Sequence, residues 1–338
     1  MNIEKNISLK SLNSFGIEVN ARYLSSFVSQ DELEEILDNP IAKANPLLVL
    51  GGGSNILFTK DVDGLVLKNE IKGIETIHED SDYYYVRAGA GENWHRFVMH
   101  CINHQYAGVE NLTLIPGNVG ATPMQNIGAY GAEIKDVFHS LEAFHIRDKQ
   151  WVDFSLADCS FGYRESVFKH QFKGQFIITS VTYKLNKKPV YNISYGAIGL
   201  ELEKMQVKEL SISSIAQAVM NIRSSKLPDP KQVGNAGSFF KNPEIPANRF
   251  EELKKTYPHI AGYALDEKKV KLAAGWLIEQ CGWKGYRKGD AGCHERQALV
   301  LVNFGNAKGS EILSLSEDIV DSVKKKFGVQ LEREVNVY

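Results

Sequence analysis

Three successive glycines, Gly51, Gly52 and Gly53, interrupt two apolar runs: Leu47-Leu-Val-Leu50 precedes them, and Ile56-Leu-Phe58 follows Ser54-Asn55. A helix through this stretch is disfavoured, because each glycine in a helix interior costs about 1 kcal/mol relative to alanine. The spacing therefore predicts strand, tight turn, strand. Glycine-rich turns after strands also present several backbone N–H groups to one point, a concave donor cluster suited to phosphate. A plain tight turn in a β-rich domain explains this loop, taken alone, equally well.

Leu65-Val-Leu67 and Tyr83 to Val86 continue the strand signal, and Trp151-Val-Asp-Phe154, Phe176-Ile-Ile178 and Val181-Thr-Tyr-Lys-Leu185 repeat it. Helical periodicity enters with Trp94, Phe97, Val98, Cys101 and Ile102, which fall on one face. A second helix is expected over Ser213 to Lys226, stopped by Leu227-Pro228. A third runs through Val270, Ala273, Ala274, Leu277, Ile278 and Cys281, and a fourth from Ser310 to Phe327 ahead of Gly328. The fold class is therefore α+β. At 338 residues, two or three domains are expected. Breaks near Lys68-Asn69 and in the Pro- and Gly-rich Leu227 to Gly234 suggest segments 1–68, 69–227 and 228–327. The alternating Leu331 to Val337 is expected to rejoin the first segment as a strand, so that 328–338 returns to it.

The formal charge of −2 argues against a broad nucleic-acid surface, so an anionic ligand must be held by a local cluster of cations. No apolar run approaches the roughly 20 residues needed to span a bilayer, and Met1 to Phe15 lacks a signal-like apolar core. A cytoplasmic address and no membrane insertion are expected. Cys101, Cys159, Cys281 and Cys293 are scattered without a Cys-x-x-Cys pair, which predicts neither a disulfide framework nor a metal site. Cys293-His294 with Cys281 supplies three ligands where a structural zinc takes four.

Five further features could carry chemistry. In Ile115-Pro-Gly-Asn-Val-Gly-Ala-Thr-Pro-Met-Gln-Asn-Ile-Gly-Ala-Tyr-Gly131, Gln125 and Asn126 add side-chain amides that could pair with a heterocycle edge. Neither glycine loop fits the Rossmann or Walker spacing, so a dinucleotide here would use another fold. Arg164, in Phe161-Gly-Tyr-Arg-Glu-Ser-Val-Phe168, offers a planar fork of donors for a carboxylate or flavin carbonyl; a stacked structural arginine is the alternative. The stretch from Asn221 to Pro243 packs Arg223, Lys226, Ser238, Lys241 and Asn242 among glycines and prolines around Phe239-Phe240, a pattern that suggests a pocket wall. Arg223 and Lys226 could also simply complement a helix C-terminus. Glu332 and Glu334, two apart in an expected strand, face one side. Tyr195, in Asn192-Ile-Ser-Tyr-Gly196, could be a turn aromatic.

Taken together these motifs resemble the UDP-N-acetylenolpyruvoylglucosamine reductase family, MurB, over about Ser14 to Val335; Gly-Asn-Ala-Gly-Ser-Phe-Phe-Lys-Asn-Pro is the most specific of them. The resemblance implies an FAD-binding domain of vanillyl-alcohol-oxidase type in two subdomains, followed by an α+β substrate-binding domain. It implies non-covalent FAD, NADPH as co-substrate and reduction of UDP-N-acetylglucosamine enolpyruvate to UDP-N-acetylmuramate. That step belongs to peptidoglycan synthesis, and through the cell wall to cell shape, division and the cell cycle. By resemblance Ser238 is the proton donor, with Arg164 and Glu334 around the enol and its carboxylate. Glu334 beside a carboxylate then requires a proton on it or a bridging Arg164. Gly51, Gly52, Gly53, Ser54, Asn55, Gln125, Asn126, Ile127, Gly128 and Arg223 match flavin contacts. Tyr195, Lys226, Asn242 and Gln297 match substrate contacts, Tyr195 lying in the insertion of the longer type of this family. Ala121 stands where some relatives have serine, removing one side-chain bond to the flavin phosphates. A monomer is expected. The alternative is a flavin oxidase of the same superfold, with His95 or Cys101 as a covalent flavin anchor; a flavin or nucleotide-sugar sensor would need no proton donor.

Overall fold

In the computed structural model, which describes residues 2–338, the glycine run does not close a hairpin. Strand Leu47–Leu50 lies parallel to Val62–Asn69, whereas Ile56–Leu57 pairs in parallel with Asn336–Val337 near the C-terminus. The chain forms two compact units. One comprises the segment ending at Ile7 together with Ala21–Gly52 and Val62–Ser225; the other comprises Ser8–Asn20, Gly53–Asp61 and Lys226–Tyr338. The chain thus passes from the first to the second between Gly52 and Gly53.

The first unit holds the sheet ordered Glu4–Ser8, Asn20–Phe27, Val62–Asn69, Leu47–Leu50, and an antiparallel sheet ordered Gln150–Ser155, Phe138–His145, Phe176–Asn186, Tyr83–Gly89, Ile74–Glu79. Lys68-Asn69 does not separate two compact units. Phe27, Leu33, Leu65 and Leu67 share one buried cluster with Phe144 and Ile177 of the second sheet, and Asn69 Nδ2 donates to Ile178 O at 2.9 Å. Removing that apolar surface from water, worth roughly 25 cal/mol per Å², outweighs the polar stretch that suggests a break.

Helix Trp94–Asn103 buries the face its periodicity requires, and the Asn93 side chain accepts from Arg96 N at 3.0 Å as its N-cap. Helices Gly196–Lys204 and Ile212–Lys226 form a small core of their own through Ile198, Leu202, Ile215, Val219 and Ile222, with Tyr130 packed against it.

The second unit contains the sheet Gly234–Ser238, Val300–Asn303, Ala291–Cys293, Arg287–Lys288 and a three-stranded sheet of Glu244–Pro246, Lys269–Leu272 and Gly262–Ala264. The third expected helix starts at Ala274 rather than Val270. Val270 and Leu272 alternate on a strand, and their spacing happens to continue the helical face that follows. Helix Gly309–Phe327 ends at Gly328, whose φ of 66° supplies the left-handed cap. The C-terminal segment is strand only at Asn336–Val337, with a single bridge between Arg333 and Phe240 upstream.

Candidate active site

Within the second unit, Ser238 ends the strand Gly234–Ser238 beyond a bulge. Asn235 faces Val302 and Ser238 faces Val300, so the serine strand holds one residue more than its partner. Bulges re-aim side chains. The buried Asn235 fixes this one: its Oδ1 accepts from Gly237 N at 2.9 Å, and its Nδ2 donates to Val233 O at 2.8 Å and Pro228 O at 3.2 Å. Phe239 and Phe240 are fully buried anchors, Phe239 meeting Phe15 edge-on at 6.2 Å.

The C-terminal segment is zipped onto the same residues. Glu334 N donates to Phe239 O at 2.9 Å, Lys241 N to Glu332 O at 2.8 Å, and the buried Lys241 ammonium pairs with Glu332 at 2.6 Å. Ser238 and Glu334, nearly one hundred positions apart, are therefore held on adjacent backbone. Asn55 joins them: its Nδ2 donates to Glu334 O at 3.3 Å, and its own carbonyl accepts from Asn336 N at 3.2 Å. Ser54 is half-buried beside it. Asn242 and Gln297 also come together, at the start of helix Ala274–Gln280. Asn242 Oδ1 accepts from Ala274 N at 3.0 Å, and Gln297 Oε1 stands 2.9 Å from the point a Cβ on Gly275 would occupy. Lys226 is exposed at the last residue of its helix.

Within the first unit the two glycine-rich loops meet. A Cβ on Gly52 would stand 2.9 Å from Asn118 Oδ1 and 3.0 Å from Gly117 Cα, and Gly51 also faces Asn118. Asn126 is fully buried with both ends of its amide committed: Oδ1 accepts from Lys135 N at 3.0 Å, and Nδ2 donates to Gly162 O at 3.0 Å and Glu133 Oε2 at 3.1 Å. The expectation that this side chain could pair with a heterocycle edge is thus corrected, because its donors and acceptor are used within the protein. Gln125 and Ile127 flank it, both half-buried.

Asn126 bonds the base of the turn that displays Arg164. Gly162 and Glu165 exchange backbone bonds of 3.0 and 3.3 Å, leaving Tyr163 and Arg164 at the tip. Arg164 has a left-handed φ of 56°, an arrangement that costs roughly 1–2 kcal/mol in a non-glycine residue and so points to function. Its guanidinium donates to Gly128 O and lies over the Tyr163 ring at 5.3 Å.

Arg223 is the clearest sign of an absent ligand. Its Nε is sealed from solvent and bonded to nothing, an omission worth about 1–3 kcal/mol unless an acceptor arrives. Burial lowers its pKa, with Tyr130 opposing, yet an arginine stays charged. A half-buried cation whose sealed Nε is a spare donor, together with a glycine cradle in the same unit, fits a phosphate-bearing cofactor.

Tyr130 is a residue the motif reading passed over. Its hydroxyl lies within electrostatic reach of the Arg223 guanidinium, its ring edge meets Tyr195 at 5.3 Å, and burial raises its pKa. It occupies the tip of the hairpin Gly128–Ala129/Ala132–Glu133, where Tyr130 (φ 51°) and Gly131 (φ 82°) form a two-residue turn with both φ positive. Nothing in the local pattern marks a tyrosine at that position as a link to residues far along the chain.

Cys101 is not presented as a covalent anchor. It is fully buried in the main apolar cluster, which pushes its thiol well above the usual range. His95 Nδ1 accepts from Leu114 N at 3.3 Å.

Residues 229–338 match the family model for the C-terminal domain of UDP-N-acetylenolpyruvoylglucosamine reductase, and residues 23–154 match an FAD binding domain. The UDP-N-acetylenolpyruvoylglucosamine reductase of Flavobacterium johnsoniae is 51% identical over 338 residues, all of both chains. That of Pseudomonas savastanoi pv. phaseolicola is 49% identical over 100% of this chain and 99% of its own. The crystal structure of the reductase (MurB) from Thermus caldophilus superposes with a TM-score of 0.69 over 100% of this chain and 99% of that one, at 24% identity, which shows a common fold.

Proposed function

The chain belongs to the UDP-N-acetylenolpyruvoylglucosamine reductase family, and from that membership we propose how its own residues divide the work. It is an FAD-containing oxidoreductase that reduces UDP-N-acetylglucosamine enolpyruvate to UDP-N-acetylmuramate for peptidoglycan precursors. NADPH is the reductant, and bound FAD, in a fold of vanillyl-alcohol-oxidase type, supplies hydride chemistry. Gly51, Gly52, Gly53, Ser54, Asn55, Gln125, Asn126, Ile127, Gly128 and Arg223 would hold the cofactor.

Hydride addition at the outer carbon of an enolpyruvyl ether leaves negative charge beside the carboxylate, delocalised as an enolate. The site must stabilise that charge and then protonate the carbon. Ser238 gives the proton from its hydroxyl, which a strongly basic carbon can accept. Arg164 offers its donor fork to the enolate and carboxylate oxygens, and Glu334 flanks them. Tyr195, Lys226, Asn242 and Gln297 bind the sugar nucleotide. The enzyme works as a cytoplasmic monomer; among the described residues no helix is long and apolar enough to cross a membrane.

The observation that carries the reading is the bond from Glu334 N to Phe239 O, which sets Glu334 beside the serine strand. The test is Ser238→Ala. Turnover should fall by roughly 10² to 10⁴, about 3–5 kcal/mol, while flavin reduction by NADPH survives. Nearly normal product formation would refute the assigned donor.

A further inference from the structure

The segment from Lys187 to Tyr195 contains no strand or helix, and it turns Val190 (77% exposed) and Tyr195 (45%) to solvent. Apolar burial therefore does little to hold it. Its attachment is polar. Asn111 Nδ2 donates to Asn192 O at 2.8 Å and to Tyr130 O at 2.9 Å, and Asn192 Nδ2 donates back to Gly131 O at 2.8 Å. Asn192 Oδ1 in turn accepts from Ser194 Oγ at 2.8 Å, one residue before Tyr195. A Cβ on Gly131 would come within 3.0 Å of Asn192 Nδ2, so the approach needs glycine there.

Asn111 itself is 3% exposed, set in the turn Glu110–Leu112 between fully buried Val109 and Leu112. Its two amide hydrogens thus hold two carbonyls from distant parts of the chain. One belongs to the turn that carries Tyr130 to Arg223, the other to the segment that carries Tyr195. A carboxamide suits this task because its paired donors diverge in one plane. An aspartate of the same shape would face both carbonyls with an acceptor.

We propose that Asn111 is a positioning residue for substrate binding: it latches the Tyr195 segment onto the Tyr130 turn, so that the substrate-side tyrosine is placed by reference to the flavin-side arginine. The inference rests on the roles given above to Tyr195 and Arg223.

The test uses Asn111→Asp in the holoenzyme, with Asn192→Ala as a second variant that removes the return bond from a more exposed position. Three quantities are read: the Kd of the enolpyruvyl sugar nucleotide from the flavin difference spectrum, the rate of flavin reduction by NADPH, and chymotryptic cleavage after Tyr191 or Tyr195. Loss of two neutral hydrogen bonds should raise Kd about 10- to 100-fold. Cleavage should accelerate severalfold, and flavin reduction should stay within about twofold. In a Tyr195→Ala background Asn111→Asp should add little, since the two act as one unit. Additive losses, or cleavage at the wild-type rate in both variants, would overturn the latch. If wild-type holoenzyme gives no spectral response to the sugar nucleotide, the functional reading falls instead, and the chymotrypsin comparison still decides whether Asn111 holds the segment.

Discussion

Asn126→Asp exchanges one NH2 for an oxygen at the point where the glycine-rich loop and the Arg164 turn are joined. The bond from Lys135 N survives, because Oδ1 is kept. The donations to Gly162 O and Glu133 Oε2, at 3.0 and 3.1 Å, are replaced by acceptors facing acceptors in a fully buried site. Each of the two lost bonds is worth about 1 kcal/mol, and an unsatisfied buried carbonyl adds about 1–3 kcal/mol, so destabilisation of about 3–5 kcal/mol is expected at pH 8. A proton on the new carboxyl restores one donor, which places its folded-state pKa above the ordinary value of about 3.9. The folded protein then holds an extra proton between those two values. Stability relative to wild type should therefore fall as pH rises through that window and stay level above it. Guanidinium unfolding of both proteins at pH 5 and pH 8 reads this directly. The same variant should slow enolpyruvyl reduction more than flavin reduction by NADPH, since Gly162 anchors the Arg164 tip. A penalty below about 0.5 kcal/mol at pH 8, or one that does not depend on pH, would refute the reasoning.

Two further outcomes follow from local geometry. Gly53→Ala should leave little flavin-loaded protein and lower stability by about 3 kcal/mol or more, because its Cβ would stand 1.9 Å from Leu12 O with φ at 60°. Gly196→Ala, with nothing within 4 Å, is the control and should stay within about 0.5 kcal/mol in thermal unfolding. Cys159 and Cys293, whose thiols burial pushes up to about 12, should resist iodoacetamide at pH 8 in the folded protein; rapid labelling of Cys293 with unchanged circular dichroism would contradict that.

Much of the fold is legible where one physical signal dominates. Trp94 to Ile102 reads as a helix because a single apolar face is repeated without interruption, and Gly309–Phe327 because a glycine ends it. Val270 to Cys281 misleads, since a strand of alternating residues runs straight into a helix and the two periods overlap. Helices Gln30–Asp38 and Ala247–Thr256 are easily passed over because each is strongly polar and buries few side chains. Ser238, Arg164 and Glu334 are legible only as members of a motif. Their geometry depends on a bulge, a left-handed tip and a bridge to Phe240, none of which has a local signature. The site residues passed over, Tyr130 and Asn111, act through partners far away in the chain, where no periodicity reaches.

Those oversights share a cause. The loops that display functional groups here are irregular, so their backbone donors and acceptors lack ladder partners, and buried groups of that kind must be satisfied. In this protein the partner is repeatedly a buried asparagine. Asn13 joins Leu9 O, Ile17 O and Ile17 N; Asn69 joins Ile178 O to Ile71 N; Asn235 joins Val233 O to Gly237 N; Asn303 joins Phe15 O to Gly305 N and Ala307 N. Asn111 and Asn126 do the same at the two turns that carry Tyr130 and Arg164. A carboxamide supplies two donors and an acceptor without charge, so it can stand in for a missing strand at little desolvation penalty, whereas an aspartate or lysine would have to be paired. Asparagine is ordinarily read as a surface or turn residue. In a chain whose loops carry glycine runs, the same residue marks the points where those loops are pinned, and exchanging its amide for a carboxylate should be felt at the site long before the surrounding sheets lose their packing.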